Sequence, residues 1–398
     1  MSASVQDFGV AAGAALNPGD EIAGRYRIES LLAWGGMAAI YVCDDAVLGR
    51  QIALKVLRPE AGSWPGIVDR LLNEARALAK LRSPHVMRVL DWGTLQLGGF
   101  PDIPFIALEL LEGSDLREAL SRNGPLALPL VASYMTETCE GLAEAHAQGI
   151  VHRDIKPENI FLARGRDGSD VVKLIDFGIS KQLAQHDSRP LTLASDCLGS
   201  PQYMSPEQMR GLPVDARTDI WALGAVMFEC VTGQPLFPGA TVFEISAQVL
   251  RSPLPDLRAR WPELPDTFLR IIERCLQREP SDRFQNVAEL AHALEAFASR
   301  ECVSTSRRIA KVLAIDPPRP SRPFGGLVTA LPAQADAMVE DDDLEPLRIA
   351  GLRSYRGLWL SLLVLAGLIF TAYRYPERMN EMTNRARMQL DAWVAGQH

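Results

Sequence analysis

Two stretches carry the side chains that could do chemistry, a polar run between apolar ends at 150–162 and a second stretch at 171–181. Asp154 can accept the proton of a hydroxyl group, and Lys156 can neutralise a phosphoryl group during its transfer. Asn159 and Asp176 offer the hard oxygen ligands that Mg²⁺ prefers. Each residue alone is unremarkable, but the ordered set at these spacings indicates phosphoryl transfer to a hydroxyl. The stretches read IVHRDIKPENIFL (150–162) and VVKLIDFGISK (171–181).

A lysine and a glutamate further upstream are expected to pair with each other. The strand QIALKVL (51–57) turns Lys55 inward, and an inward ammonium is costly unless a negative partner meets it. Glu74 in turn shares an apolar helical stripe with leucines, so it also faces inward. The alternative is an edge-strand lysine whose amine reaches solvent. The leucines of the stripe are Leu71, Leu78 and Leu81.

The elements that must position these residues come in two blocks. Residues 25–111 alternate like short strands around one helical stretch at 63–81, whereas helical periodicity dominates 115–297. This order predicts an α+β fold class with two lobes. The first is a small β-rich lobe over about 25–111, and the second is a larger helical lobe over about 112–297.

Composition excludes several function classes. The 398 residues carry a net charge of −8, which argues against a nucleic-acid partner because such proteins present a basic face. The six cysteines form no CxxC pair or Cys/His cluster, so neither a zinc site nor a disulfide framework is indicated. Buried free thiols are the expectation.

The regions outside the two lobes are expected to differ from them in kind. Residues 1–24 contain no signal-peptide pattern and are predicted to be a disordered leader. Residues 298–356 include IDPPRPSRPFGG and the acidic run VEDDDLE, which predict a flexible linker.

An uncharged apolar run follows this linker at residues 357–373. Its 17 residues are near the lower limit of about 17–25 for a transmembrane helix, and arginines and aromatic residues bracket it. A buried core helix is the alternative. The run predicts a single membrane span followed by a short tail at 374–398, with the lobes in the cytoplasm and the cell inner membrane as location.

On these motifs the chain resembles a eukaryotic-type (Hanks-type) serine/threonine protein kinase of the bacterial kind. The resemblance covers about residues 25–297 and implies the bilobal protein-kinase fold, with ATP and Mg²⁺ as cofactors and Mn²⁺ as an alternative. The matching motifs are LLAWGGMAAIYV (31–42), IALK (52–55), Glu74, ALELLEG (107–113), HRDIKPEN (152–159), DFG (176–178), GSPQYMSPEQ (199–208), DIWALG (219–224) and SDRF (281–284).

The resemblance also implies a nucleotide site. Backbone groups of Glu109 and Leu111 would hold the adenine beside Leu108, and Asp115 would reach the ribose. Structural roles are implied for Asp219, which would hold the catalytic-loop backbone, and for an ion pair of Glu207 with Arg283. The residues that would enclose the adenine ring are Ile40, Ala53 and Phe161.

The glycine-rich hairpin departs from the family pattern G-x-G-G-M-G. Gly35 and Gly36 remain, but Ala33 and Ala38 replace the first and last glycines. If either position required positive φ, alanine would cost of order 1 kcal/mol. The expectation is an active kinase with somewhat lower nucleotide affinity.

Regulation by phosphorylation is a further expectation from the resemblance. Arg153, beside the catalytic Asp154, could pair with a phosphate on the activation segment, where Thr192 and Ser195 are the candidate acceptors. Ser200 stands where the class usually has threonine, and its hydroxyl could bridge Asp154 and Lys156. Ordinary loop residues without a regulatory role are the alternative.

Two other functions remain open. A membrane-anchored pseudokinase would fit the altered hairpin, and a small-molecule phosphotransferase would share the fold but would lack GSPQYMSPEQ and DIWALG. The protein kinase remains the favoured interpretation. Its partners would be proteins phosphorylated on Ser or Thr, a second copy in a homodimer, and a membrane, with no nucleic acid.

Overall fold

A computed structural model represents the protein here. It describes residues 16–35, 38–58, 67–95, 103–165, 168–177, 200–299 and 304–316.

The N-terminal lobe is built on one antiparallel sheet of six strands in the order β1-β2-β3-β4-β6-β5. Alternating apolar residues drive its formation, since Tyr26, Ile28 and Tyr41 turn inward and are buried. The strands are β1 (Glu21–Ile22), β2 (Tyr26–Trp34), β3 (Ala38–Asp45), β4 (Arg50–Leu57), β5 (Val89–Leu95) and β6 (Ile103–Glu109).

One helix, α1 (Ile67–Leu78), packs on β5 and β6 of this sheet. Leu71 and Leu78 of the predicted leucine stripe lie in α1 and are buried, whereas Leu81 is buried but lies beyond the end of the helix, which is shorter than the predicted 63–81. Glu74 lies within α1, but its side chain falls outside the described residues.

The C-terminal lobe is helical apart from one small antiparallel sheet, β7 (Gly113–Asp115), β8 (Ile160–Arg164) and β9 (Asp170–Leu174). The helices Leu128–Ala147 and Asp266–Cys275 pack against a central helix, Ala216–Thr232, in which every residue from 218 to 230 is buried. A helix that is apolar all round belongs in a core. The helices are α2 (Leu116–Asn123), α3 (Leu128–Ala147), α4 (Pro206–Met209), α5 (Ala216–Thr232), α6 (Val242–Arg251), α7 (Leu257–Arg260), α8 (Asp266–Cys275), α9 (Val287–Leu294) and α10 (Thr305–Val312).

Ordered structure extends beyond both boundaries expected from the sequence. Strand β1 and the buried Leu16 lie within the expected leader. They are ordered because their apolar side chains join the core of the first lobe. Helix α10 lies within the expected linker, where Ile309 and Ala310 are buried and the helix packs against α3 and α9. Both regions gain enough apolar burial to offset the entropy of ordering.

The apolar run at 357–373 and the tail at 374–398 lie outside the described residues. Among the helices that the structure does describe, none combines the length and the apolarity that crossing a bilayer requires. The four described cysteines are buried free thiols, as expected from their spacing; they are Cys43, Cys139, Cys230 and Cys275.

A buried ion pair ties α4 to the segment before α9. The Arg283 guanidinium donates to both carboxylate oxygens of Glu207, at 2.7 and 2.8 Å, and Thr218 donates to the same carboxylate at 2.8 Å. Burial raises the pKa of Glu207, but the hydrogen bonds and charge of Arg283, together with the hydrogen bond from Thr218, leave that pKa lowered. The pair implied by the resemblance is therefore confirmed.

We expect Arg283→Met to lower the free energy of unfolding by about 3–5 kcal/mol, because it leaves Glu207 buried without its partner. The more accessible pair of Arg217 with Asp215, whose side chains are 28% and 55% exposed, provides the control, and Arg217→Met should cost no more than about 1 kcal/mol. Urea denaturation at pH 7 measures both. The lowered pKa of Glu207 adds a pH test. Its contribution should be complete above its unfolded pKa of about 4.3 and disappear as the pH falls through the folded value. Equal costs for the two variants would contradict the assignment.

Candidate active site

The backbone before Asp154 is fixed by one buried carboxylate. Asp219 of α5 is fully buried and accepts hydrogen bonds from the backbone N–H groups of His152 at 2.9 Å and Arg153 at 2.8 Å. The His146 ring lies 2.8 Å from the same carboxylate. Burial raises the pKa of Asp219, but the hydrogen bond with His146 and the nearby histidine rings leave it lowered. The structural role implied for Asp219 is thus seen directly.

His152 links this loop to the segment that carries Asp176. Its Nε2 donates to the carbonyl of Ile175 at 3.1 Å, and its ring centroid lies 4.3 Å from that of Phe177. Burial lowers the pKa of His152, which keeps the ring neutral. The two chemistry-bearing segments are therefore held in a common frame.

Asp154, Lys156 and Asn159 form one cluster. The Lys156 amine lies 3.3 Å from Asp154 Oδ2, and the Asn159 side-chain amide donates to the backbone carbonyl of Asp154 at 2.7 Å and to its Oδ2 at 3.2 Å. These contacts orient the carboxylate expected to accept the hydroxyl proton. They also engage the side-chain nitrogen Nδ2 of Asn159, so the side-chain oxygen Oδ1 remains for a cation.

The Lys55 amine and the Asp176 carboxylate meet at 2.5 Å, although they are 121 positions apart in the chain. The Lys55 charge is the main reason that the pKa of Asp176 is lowered, so the carboxylate is ionised at neutral pH. This contact joins β4 of the first lobe to the segment after β9. The expected pair of Lys55 with Glu74 stays a prediction, since the Glu74 side chain is outside the described residues.

The two expected metal ligands are held near each other by backbone. The N–H of Ile175, which precedes Asp176, donates to the carbonyl of Asn159 at 3.0 Å. Two side-chain oxygens and a nearby ammonium suit Mg²⁺ bound jointly by protein and phosphate. When bound, Mg²⁺ would supply charge neutralisation at the phosphate oxygens, and Asn159 and Asp176 would hold it.

The residues implied for the nucleotide lie in both lobes. Ile40 is on β3 and Ala53 on β4, where Ala53 pairs with Leu108 of β6. Asp115 and Phe161 are partners across β7 and β8. Asp115 also caps α2 by accepting from Glu118 N at 2.9 Å, so one of its oxygens is already engaged. Their contacts with a nucleotide stay predictions.

The segment joining the lobes begins with a firmly held residue. The backbone N–H of Glu109 donates to the carbonyl of Arg88 at 3.0 Å, so it is not available to a ligand. The Glu109 carboxylate lies 2.5 Å from the Lys173 amine of β9, which connects the two sheets. Leu111 lies two residues further on, in the described part of the segment, and its role toward adenine stays a prediction.

The alanines of the hairpin carry no left-handed strain. Ala33 lies in β2 and Ala38 in β3, and neither has positive φ. The penalty considered from the sequence therefore does not arise in this conformation. A Cβ on Gly35 would lie 3.1 Å from the carbonyl of Ala38, which explains a glycine there. Gly36 lies outside the described residues.

The expected regulatory residues are only partly visible. Arg153 has a left-handed backbone with φ of 65°, and its Nε is buried without a hydrogen-bond partner in the described structure. Ser200 begins the turn Pro201–Tyr203, with no cap from its side chain. Thr192 and Ser195 fall outside the described residues.

A charged cluster beside the catalytic loop was missed from the sequence. Arg117 of α2 contacts Glu158 at 2.9 Å, Glu229 at 2.5 Å and the Tyr203 hydroxyl at 2.5 Å. It thereby joins the catalytic loop, α5 and the segment GSPQYMSPEQ. The one available signal was Glu229, a second acid in the largely apolar helix α5, which required a cationic partner.

Comparison with known proteins agrees with this geometry. The family model described as "Protein kinase domain" matches residues 26–294. The chain belongs to the protein kinase family. A kinase from Corynebacterium efficiens, named a probable serine/threonine-protein kinase, is 35% identical over 291 residues, which are 72% of this chain and 43% of that protein. This chain therefore spans less than half the length of that relative.

A second relative is also described as a serine/threonine-protein kinase, and a solved kinase domain has a similar fold. Serine/threonine-protein kinase PknA of Mycobacterium tuberculosis is 34% identical over 324 residues, covering 81% of this chain and 70% of that protein. The crystal structure of the Mycobacterium tuberculosis PknI kinase domain has a TM-score of 0.55 at 28% identity and covers 71% of this chain and all of that one. The matched region is a serine/threonine protein kinase domain.

We expect Ala33→Gly to change the KM for ATP less than about 2-fold, because Ala33 is exposed and extended and gains nothing from access to positive φ. Gly35→Ala should raise that KM, since its Cβ would crowd the carbonyl of Ala38. Steady-state kinetics with varied ATP measures both variants. A tenfold fall in KM for Ala33→Gly would mean that the nucleotide-bound hairpin needs a backbone that alanine resists.

Proposed function

We propose that the protein transfers the γ-phosphoryl group of ATP to serine and threonine hydroxyls of other proteins. The main support for this proposal is the contact of Lys55 with Asp176 at 2.5 Å, beside the cluster that Asp154 forms with Lys156 and Asn159. In this proposal Lys55 binds phosphate oxygens, and Asp154 takes the hydroxyl proton. Lys156 offsets the charge that develops during transfer.

The preference for serine and threonine follows from Lys156, which marks the Ser/Thr form of the catalytic loop in the family. Ser200 keeps the hydroxyl that this class presents to Asp154 and Lys156. The relatives named above are described as serine/threonine kinases, which supports the same substrate class.

We also propose that the protein phosphorylates its own activation segment. Arg153 supports this, because a buried guanidinium nitrogen with no hydrogen-bond partner among the described residues suits an anion that arrives later. A phosphate on Thr192 or Ser195 would carry a charge of about −1.5 to −2 and could pair with Arg153. Pairing would order the segment beside Asp154 and raise activity.

The test of both proposals is incubation of the purified protein with labelled ATP and Mg²⁺, followed by phosphosite mapping. Wild type should incorporate label on serine and threonine residues but not on tyrosine. The labelled residues should include Thr192 or Ser195. Asp154→Asn should lose about 10²- to 10⁴-fold in rate, because the proton acceptor is gone. Glu263→Gln, which neutralises an exposed carboxylate, is the matched control and should keep full activity.

Absence of labelling in wild type and Asp154→Asn alike, on the protein itself and on a generic substrate, would favour the scaffold interpretation. Labelling that excludes residues 188–200 would retain the kinase and reject the proposed activation sites.

The membrane location is likewise proposed, on the apolar run 357–373 and its flanking arginines. Full-length protein should sediment with membranes on ultracentrifugation and require detergent for release, whereas a 1–350 truncation should stay in the supernatant. Full-length protein that remains soluble would refute the anchor. A homodimer, which is also proposed, would be detected by cross-linking of the same membranes.

A further inference from the structure

Helix α10 lies beyond the family match, which ends at residue 294, yet it is part of the kinase lobe. Its side chains Ile309 and Ala310 are buried against the lobe, and Ser306 donates to Glu295 at 2.5 Å. Arg308 makes a two-point contact with Glu140 of α3, at 3.0 and 2.8 Å. This geometry fixes the Glu140 carboxylate in one orientation.

The same face of α3 holds the loop 82–86, which precedes β5. Glu144 accepts the backbone N–H of Arg82 at 2.8 Å and of Ser83 at 2.6 Å. The His85 ring lies 3.8 Å from Glu140 and 3.6 Å from Glu137. The spacing of three and four residues along a helix aligns these three acids on one side of α3.

Loop 82–86 in turn holds β9, the strand that leads to Asp176. The carbonyl of His85 accepts the N–H of Leu174 at 2.9 Å, and the His85 ring donates to the carbonyl of Val172 at 2.9 Å. Glu137 accepts the N–H of Val172 at 2.9 Å. Asp176 follows Leu174 by two residues, so a shift of β9 moves the carboxylate.

The contact between α3 and this loop has no slack. A Cβ on Gly141 would lie 2.7 Å from the carbonyl of His85, so backbone meets backbone at that point. Packed contacts of this kind transmit small displacements because they cannot compress.

We propose that Arg308 is a positioning residue for Asp176, acting through Glu140, loop 82–86 and β9. Docking of α10 thereby sets the strand that leads to the proposed cation ligand, and residues beyond the family boundary tune phosphoryl transfer. The proposal rests on the proposed kinase activity. A purely stabilising role for Arg308 would not predict an effect on Asp176. The ion pair of Arg308 with Glu140 has a half-exposed arginine and so contributes little to the free energy of unfolding.

The test compares Arg308→Ala with Arg307→Ala in the full-length protein. Arg307 is an exposed neighbour on the same helix, so its variant removes the same charge. Two readouts are used for each variant. One is kcat and KM for ATP at saturating Mg²⁺, and the other is amide hydrogen exchange of residues 170–176 without nucleotide, which does not require catalysis.

Arg308→Ala should lower kcat by about 3- to 30-fold with little change in KM, since coupling through such networks has this size. Exchange across 170–176 should accelerate in the same variant, and Arg308→Lys should restore part of both. Arg307→Ala should match wild type in both readouts.

The proposal is overturned if Arg308→Ala equals Arg307→Ala in kcat and in exchange over 170–176, or if faster exchange is confined to α10 itself. If Arg308→Ala does not fold, Glu140→Gln takes its place with the same readouts and the same criteria. Inactive wild type would instead count against the proposed kinase, and the exchange measurement would still decide the coupling.

Discussion

The active site depends on one buried carboxylate that must be satisfied. Asp219 sits on α5, the most enclosed helix of the larger lobe, where an ionised group without donors would be very costly. It obtains its donors from His146 and from the two backbone N–H groups that precede Asp154. The need of the core for satisfied hydrogen bonds is thus what fixes the catalytic loop, and Asp154 inherits its place from that loop.

Strand β9 is where the rest of the molecule meets this loop. Lys173 connects it to Glu109 of the first lobe, while Val172 and Leu174 connect it to α3 and to loop 82–86. At its end, Asp176 reaches Lys55 of the first lobe. Both lobes therefore contact β9 or the segment that follows it. The alignment of the Lys55 amine with the Asp176 carboxylate depends on all of these contacts.

The catalytic residues could be predicted because each motif contains its chemical groups within a few residues, as in HRDIKPEN. The buried Leu71 and Leu78 of α1 could be predicted because helical spacing is a local property of the sequence. Helix α10 could not, since its short charged sequence resembles a linker and only its packing on α3 and α9 orders it. The contacts of Arg117 join residues 41 to 112 positions apart, which no local pattern encodes. The alanine penalty was conditional on positive φ, and whether Ala33 needs it could not be read from the sequence; the chain there is extended.

Two side-chain-bearing residues, Arg153 and Asp176, hold left-handed backbone with φ of 65° and 50°. Such conformations cost of order 1–2 kcal/mol each outside glycine and persist only where neighbours enforce them. The catalytic geometry is thus a strained backbone conformation that the intact core maintains. A modest loosening between α5 and the loop would let both residues relax. Chemistry would then be lost while most of the secondary structure survived, so catalytic competence is a more sensitive gauge of the cohesion of the lobe than its helix content.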